Sequence, residues 1–139
     1  MNLTLFSVEE ANRAAAEIRP SLERLVKAKS ELDRVQRRIE VLTLALSGAT
    51  AGNPDAVTLR QLTERCNRLA GELSRGVAAI QRRGCLVKDL ERGLIDFYSI
   101  SGDRLVFLCW HLGESEVSHW HTLEGGFAGR QPLNQTEHE

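Results

Sequence analysis

Four side chains that can bind a metal ion lie close together near the end of the chain: Cys109, His111, His119 and His121. Thiolate sulfur and imidazole nitrogen are ligands that zinc accepts in proteins. They form two pairs, Cys109 with His111 and His119 with His121, and the members of each pair are two residues apart. If each pair lies on a strand, both of its members face the same side of the sheet. The spacing marks a candidate zinc site, although it is less specific than a Cys-X-X-Cys pair.

Strand register decides whether these four side chains converge. If Leu112 pairs with Val117 across a four-residue loop, the two pairs face opposite sides of the sheet. If a five-residue loop places His111 opposite His119, all four side chains face one side. Core cysteines and surface histidines are common without a metal, so we expect no obligatory metal or other cofactor, with zinc as the alternative.

Two tryptophans lie among these residues, in a chain that has only seven aromatic residues. Large aromatic side chains dominate small cores, so we expect both to pack between strands and helices. The alternative is a stacking wall for a planar ligand. In that interpretation a small-molecule site forms from Trp110, Trp120, His121, Asp96 and Arg130.

A glycine-rich segment, residues 125–130, ends in Arg130. Its backbone N–H groups and guanidinium could hold a phosphate or carboxylate. No strand-loop-helix pattern surrounds it, which argues against a nucleotide-binding motif. We expect instead a turn in which Arg130 pairs with Asp89 or Asp96.

Candidate acids and bases are also present, namely Asp89, Asp96, Glu114 and His121. General catalysis needs such a group close to the proton that moves, but most chains offer a similar set. The sequence has no recognisable nucleophile motif and no cofactor fingerprint. We therefore favour a protein that is not an enzyme.

Two matched apolar seams precede these residues. In each seam the apolar positions alternate in steps of three and four, which is typical of helices that pack along one another. The first seam is Leu25, Ala28, Leu32, Val35, Ile39, Leu42 and Leu46; the second is Leu59, Leu62, Cys66, Leu69, Leu73, Gly76 and Ile80. One Gly/Pro loop joins them, so the sequence predicts a long antiparallel coiled-coil hairpin over residues 1–84.

Local signals set the expected bounds of the two helices. Ser7 and Glu10 form a capping-box pattern at the start of the first helix, which should kink near Pro20 and run to about Ser47. Asn53 and Pro54 have the pattern of an N-cap and a first helical position, so the second helix should span about Asp55 to Arg83.

The tip of the hairpin, from Ile39 to Leu46, is apolar nearly all round because Val41, Leu44 and Ala45 add to the seam. A single partner helix cannot cover such a surface. Exposed apolar patches commonly mark interfaces, so we expect a homodimer joined partly at the tip. The alternative is that the connecting loop folds over it.

Beyond Gly84 the apolar period changes from helical to alternating. The pattern predicts strands over residues 94–98, 105–112 and 117–122, which form a small antiparallel meander at the base of the hairpin. For the third segment a helix is the alternative, since Val117, Trp120, His121 and Glu124 also have helical spacing. The expected fold class is therefore α+β, mainly α. Residues 85–133 form the β-rich head, and residues 134–139 are expected to be a disordered tail.

Composition limits the classes of partner. Residues 1–92 carry 16 Lys and Arg against 12 Asp and Glu, a charge of +4, and residues 93–139 carry 2 against 7, a charge of −5. This balance makes nucleic acid an unlikely partner, because binders usually have a strongly basic face.

The sequence shows no signal peptide and no membrane span, and its three cysteines suggest a reducing compartment, so we expect a cytoplasmic protein.

Short motifs are spread over nearly the whole chain. They are Leu5-Phe6-Ser7 with Ala11-Asn12, then Val87-Lys88-Asp89, Gly93-Leu94-Ile95-Asp96-Phe97, Leu108-Cys109-Trp110, Gly113-Glu114, Trp120-His121 and residues 126–133. Together they resemble a bacterial uncharacterised family, known as domain of unknown function 2203. The resemblance implies a coiled-coil half and a motif-rich C-terminal half, and it supplies no catalytic residues. The chain departs from the family pattern at Tyr98 and Ser115, where proline is expected, and at His111, where arginine is common.

Our leading interpretation is a non-enzymatic protein-interaction or scaffolding module, a homodimer that displays the small head to a protein partner. The alternative is a small-molecule or metal site in the head, around Trp110, Trp120 and His121.

Overall fold

A computed structural model describes residues 3–46 and 53–133. Helix α1 spans Val8–Ala45, and helix α2 spans Pro54–Gln81. A five-stranded antiparallel sheet follows, with β1 Leu86–Asp89, β2 Leu94–Ser101, β3 Arg104–His111, β4 His119–His121 and β5 Gln131–Pro132. The predicted helical hairpin with a small C-terminal β-meander is confirmed.

Side chains cap the start of both helices. Ser7 and Glu10 form the predicted capping box, in which each side chain accepts from the other residue's backbone N–H. Asn53 caps α2, and Pro54 follows at the first helical position, where a missing N–H has no helical bond to lose. Pro20 lies inside α1, which continues through it as one helix.

The helices pack along the predicted seams. The buried seam residues are Leu25, Leu32 and Val35 on α1 and Leu62, Leu73 and Ile80 on α2. Gly76 lies directly against Leu25, since a Cβ at this glycine would come within 2.4 Å of the leucine side chain. Glycine therefore permits the close approach of the two helices at this level.

The sheet is a simple meander in the order β1-β2-β3-β4-β5. Strands β2 and β3 pair along their whole length, from Leu94 opposite His111 to Ser101 opposite Arg104. Strand β4 has three residues, half of the predicted 117–122 strand, and β1 and β5 were not predicted. Strands of two to four residues are too short to show an alternation pattern.

Side chains alternate across the sheet, so it has an inner face towards the helices and an outer face away from them. The inner face carries Ile95, Phe97, Leu108 and Trp110, all fully buried in one core with residues of α1. The segment before α1 closes this core. The Phe6 ring packs edge-on against Phe97 at a centroid distance of 5.0 Å.

The hairpin tip exposes apolar side chains. Leu44 is 80% exposed and Val41 is 65% exposed. The loop considered as an alternative cover, within residues 47–52, and the predicted tail, residues 134–139, lie outside the described residues. Among the helices described, none has the length and apolar character needed to cross a membrane.

Candidate functional site

The outer face of the sheet is polar at its centre, and it is nevertheless buried. Asp96 on β2 lies opposite Cys109 on β3, and His121 on β4 lies opposite Phe107 in the next row. Asp96 is 2% exposed, Cys109 is 0% exposed and His121 is 2% exposed. We call these three residues the outer-face trio.

The trio is compact enough to share a ligand. His121 Nε2 lies 3.1 Å from both carboxylate oxygens of Asp96. One ligand atom from each of the three side chains, including Cys109 Sγ, lies within 4.8 Å of the other two. The Phe107 ring packs against the His121 ring at 5.3 Å and forms an apolar wall.

A backbone carbonyl fixes the orientation of the His121 ring. His121 Nδ1 lies 2.7 Å from the carbonyl oxygen of Thr122. A carbonyl oxygen can only accept, so Nδ1 carries a proton and donates it. Nε2 therefore points towards Asp96, and a hydrogen bond between these two groups requires one proton, on Nε2 or on the carboxyl group.

Burial raises the pKa of the Cys109 thiol to about 12, and the neighbouring Asp96 carboxylate adds to the effect. Arg130 acts in the opposite direction, with a smaller influence. The thiol is therefore protonated at neutral pH. A thiolate would form here only if a cation entered next to the sulfur.

A second polar group lies beside the trio, around Glu114. Arg130 Nη2 donates to both Glu114 carboxylate oxygens, at 2.9 and 2.8 Å. The expected pairing of Arg130 with Asp89 or Asp96 is thus corrected, because the turn after β4 brings the guanidinium to Glu114 instead. The Nε of Arg130 is buried and has no hydrogen-bond partner within the described part of the chain.

The register of β3 and β4 differs from both alternatives drawn from the sequence, since Cys109 lies opposite His119. Both candidate pairs face outwards, but only Cys109 and His121 converge. His119 Nδ1 lies 3.4 Å from Glu114, and His111 Nε2 lies 3.7 Å from it. The four-ligand zinc set is therefore not assembled.

The predicted small-molecule site is also divided between the two faces. Trp110 is fully buried in the inner core, and Trp120 packs against the same core. His121 and Asp96 lie on the outer face, so the sheet separates them from both tryptophans. Trp110 is a core residue and Trp120 is partly buried against the same core, so neither lies on the face of the sheet that carries His121.

Sequence reasoning did not bring Asp96 together with Cys109. The available signal was the single acidic residue in the apolar run 94–98, on a strand predicted to neighbour the one that carries Cys109. A charged residue inside such a run is rarely buried unless it is paired. The missing information was the strand register.

Lys88 was also missed as a site residue. Its Nζ lies 3.9 Å from Asp96 Oδ2 and 4.8 Å from the centre of the Phe107 ring, and its side chain is 40% exposed. It stands where the pairing of β1 with β2 shifts register, between Val87 and Asp89. Such a bulge redirects a side chain, and here the lysine lies across the trio.

Comparison with known proteins gives one match. A family model described as "Uncharacterized conserved protein (DUF2203)" matches residues 4–133. No curated protein and no solved structure matches the chain.

Proposed function

This chain belongs to the DUF2203 family of uncharacterized conserved proteins, and we propose that its head binds a divalent transition metal ion, zinc being the best fit, through the outer-face trio. The observation that carries the proposal is the convergence of three fully buried ligand atoms of different types, from Asp96, Cys109 and His121. It favours the metal alternative over our expectation of no metal.

The distances suit a zinc ion after a small adjustment. Zinc bonds of about 2.0–2.3 Å separate tetrahedral ligands by roughly 3.3–3.8 Å. The trio already has its His121 and Asp96 atoms at 3.1 Å, and the widest separation is within 4.8 Å. Modest rotation of the side chains would close the site around an ion.

Charge balance also favours a divalent ion. Without metal, the trio holds one proton between His121 and Asp96 and a second on Cys109, which together leave it neutral. A divalent ion that displaces both protons leaves a carboxylate, a thiolate and a neutral imidazole, so the buried charge remains zero. Burial of an uncompensated charge would be strongly unfavourable.

The surroundings of His121 match those of a metal ligand. A histidine that binds zinc through one nitrogen usually donates its other N–H to a carbonyl or carboxylate. The Thr122 carbonyl already accepts from Nδ1 and leaves Nε2 towards the trio.

The test is elemental analysis of protein purified without a histidine tag, followed by titration with Co²⁺ as a coloured substitute for zinc. We expect about one equivalent of metal per chain and a sulfur-to-cobalt absorption band. Cys109→Ser should abolish the band, and His121→Ala should reduce metal content severely. Cys66→Ser is the matched control, since Cys66 lies on α2, away from the head, and should bind metal normally.

The number of protons released gives an independent check. Binding should release two protons per ion, measured by calorimetry in buffers of different ionisation enthalpy. Substoichiometric metal with no sulfur-to-cobalt band in the wild-type protein would disprove the proposal.

The exposed hairpin tip favours a second candidate function, the protein-interaction module that the sequence suggested. We propose that the chain forms a homodimer in which Val41 and Leu44 of each copy contact the other copy. The exposure of these two apolar residues supports this proposal, because adding a second hairpin would remove them from water.

Sedimentation tests the dimer. The wild-type protein should have twice the chain mass of 15.5 kDa, and Leu44→Glu should shift it towards monomer while its helical circular dichroism is retained. Leu123→Glu is the matched control, because Leu123 is an exposed leucine of the head. A wild-type protein that is monomeric at high concentration would exclude this interface.

A further inference from the structure

The outer-face trio supplies three ligands to an ion that usually takes four. Among the described residues, no other ligand side chain joins the group formed by Asp96, Cys109 and His121. The two nearest histidines, His111 and His119, are turned towards Glu114. The metal-bound head would therefore keep one coordination position for a ligand from outside the chain, as catalytic zinc sites do.

The charges around the trio indicate what that ligand is. Arg130 is paired with Glu114, and Arg92 is paired with Asp89, so these charges cancel. Lys88 is different, because its nearest carboxylate is a proposed metal ligand. With the ion bound, the trio is neutral and Lys88 adds one positive charge beside the open position.

We infer that the metal-bound head takes a small oxyanion, a carboxylate or a phosphate group, which binds the ion at its open position and pairs with Lys88. This inference rests on the proposed metal site. An anion satisfies both the ion and the lysine, and a charge-assisted hydrogen bond to an ammonium group is among the stronger polar contacts.

The position of Lys88 supports this role. The register shift in β1 sends its side chain across β2, so that Nζ lies above the Phe107 ring on β3. The Lys88 side chain is 40% exposed, whereas Asp96, Cys109 and His121 are 2%, 0% and 2% exposed, so the lysine lies between Asp96 and water. A ligand that enters from this side meets the ammonium group before it reaches the ion.

The test uses the full chain loaded with Co²⁺ and titrated separately with acetate and with inorganic phosphate. Binding at the open position should shift the visible absorption of the cobalt. The anion that saturates the shift at the lower concentration assigns the ligand class as carboxylate or phosphate.

Three variants separate the role of Lys88 from that of the metal site. Lys88→Met should weaken anion affinity about tenfold, the scale of one charge-assisted contact. The metal affinity of this variant should stay the same or increase, because the Lys88 ammonium group no longer competes with the ion for Asp96. Lys88→Arg should restore most of the anion affinity. Lys27→Met, at an exposed position of α1, should change neither quantity.

The outcomes distinguish the two proposals. Failure of the wild-type protein to bind Co²⁺ overturns the metal site and this inference with it. Cobalt binding without any shift by acetate or phosphate overturns only the inference. Equal anion affinity in the wild-type protein and Lys88→Met also overturns it, since the lysine would then make no contact with the anion.

Discussion

Cys109 and Trp110 are neighbours on β3, and both are 0% exposed, but they are buried in different surroundings. Trp110 lies on the inner face in an apolar core shared with α1. Cys109 lies on the outer face beside a carboxylate and an imidazole. One strand thus separates an ordinary hydrophobic core from a buried polar cluster.

The difference between the two faces indicates that the inner face serves stability and that the outer face serves binding. The inner face follows the general rule that buried side chains are apolar, and it joins the head to the hairpin. The outer face departs from that rule, and departures from consistent burial concentrate at functional sites. Substitutions on the two faces should therefore have different effects, large on folding for the inner face and large on binding for the outer one.

The largest effect on stability should come from Trp110→Ala. Loss of a fully buried tryptophan typically costs about 3–5 kcal/mol, against a total stability of roughly 5–15 kcal/mol. The head should lose its near-ultraviolet circular dichroism and become sensitive to protease, while far-ultraviolet helicity is largely retained. An unchanged melting curve would mean that the inner face does not hold the head on the hairpin.

A smaller effect should appear at alkaline pH in metal-free protein. The pKa of Cys109 is raised by burial from 9.0 to about 12, and that of Cys85 is raised by burial to about 11. Above pH 9 the unfolded chain loses these protons before the folded chain does. The free energy of unfolding should therefore be independent of these thiols below pH 9 and fall as pH rises towards 11.

Single substitutions show how much each buried thiol contributes to this fall in the free energy of unfolding with pH. Cys109→Ala and Cys85→Ala should each flatten the fall in stability above pH 9, measured by urea unfolding. Cys66→Ala, on α2, serves as the control substitution. If Cys109→Ala has the same slope as the wild-type protein, the outer face is open to water and the comparison with Trp110 fails.

Much of the fold could be predicted because its signals are local. The seams are periodic over many residues, and the Ser7 cap and the Asn53-Pro54 pair mark helix starts directly. Strands β2 and β3 were found from their apolar runs, although the prediction for β2 ended at Tyr98, three residues before the strand does.

The site could be predicted only in part, because its assembly depends on contacts distant in sequence. The backbone N–H of Val117 donates to Asn12 at 2.6 Å, and Arg19 donates to the Glu114 carbonyl at 3.1 Å. Helix α1 thus holds the connection between β3 and β4. A turn-length argument cannot include these contacts, and for that reason neither proposed register was right.

The two edges of the sheet have a consequence for how the protein behaves at high concentration. Strand β5 is two residues long and ends in Pro132, which has no N–H to donate. On the other edge, β1 is short and irregular, and beyond it the Phe6 N–H donates to the Tyr98 carbonyl at 2.8 Å. Within residues 3–46 and 53–133, neither edge offers a long, regular row of unpaired backbone groups, so edge-to-edge strand addition between molecules, a common route to aggregation, is disfavoured.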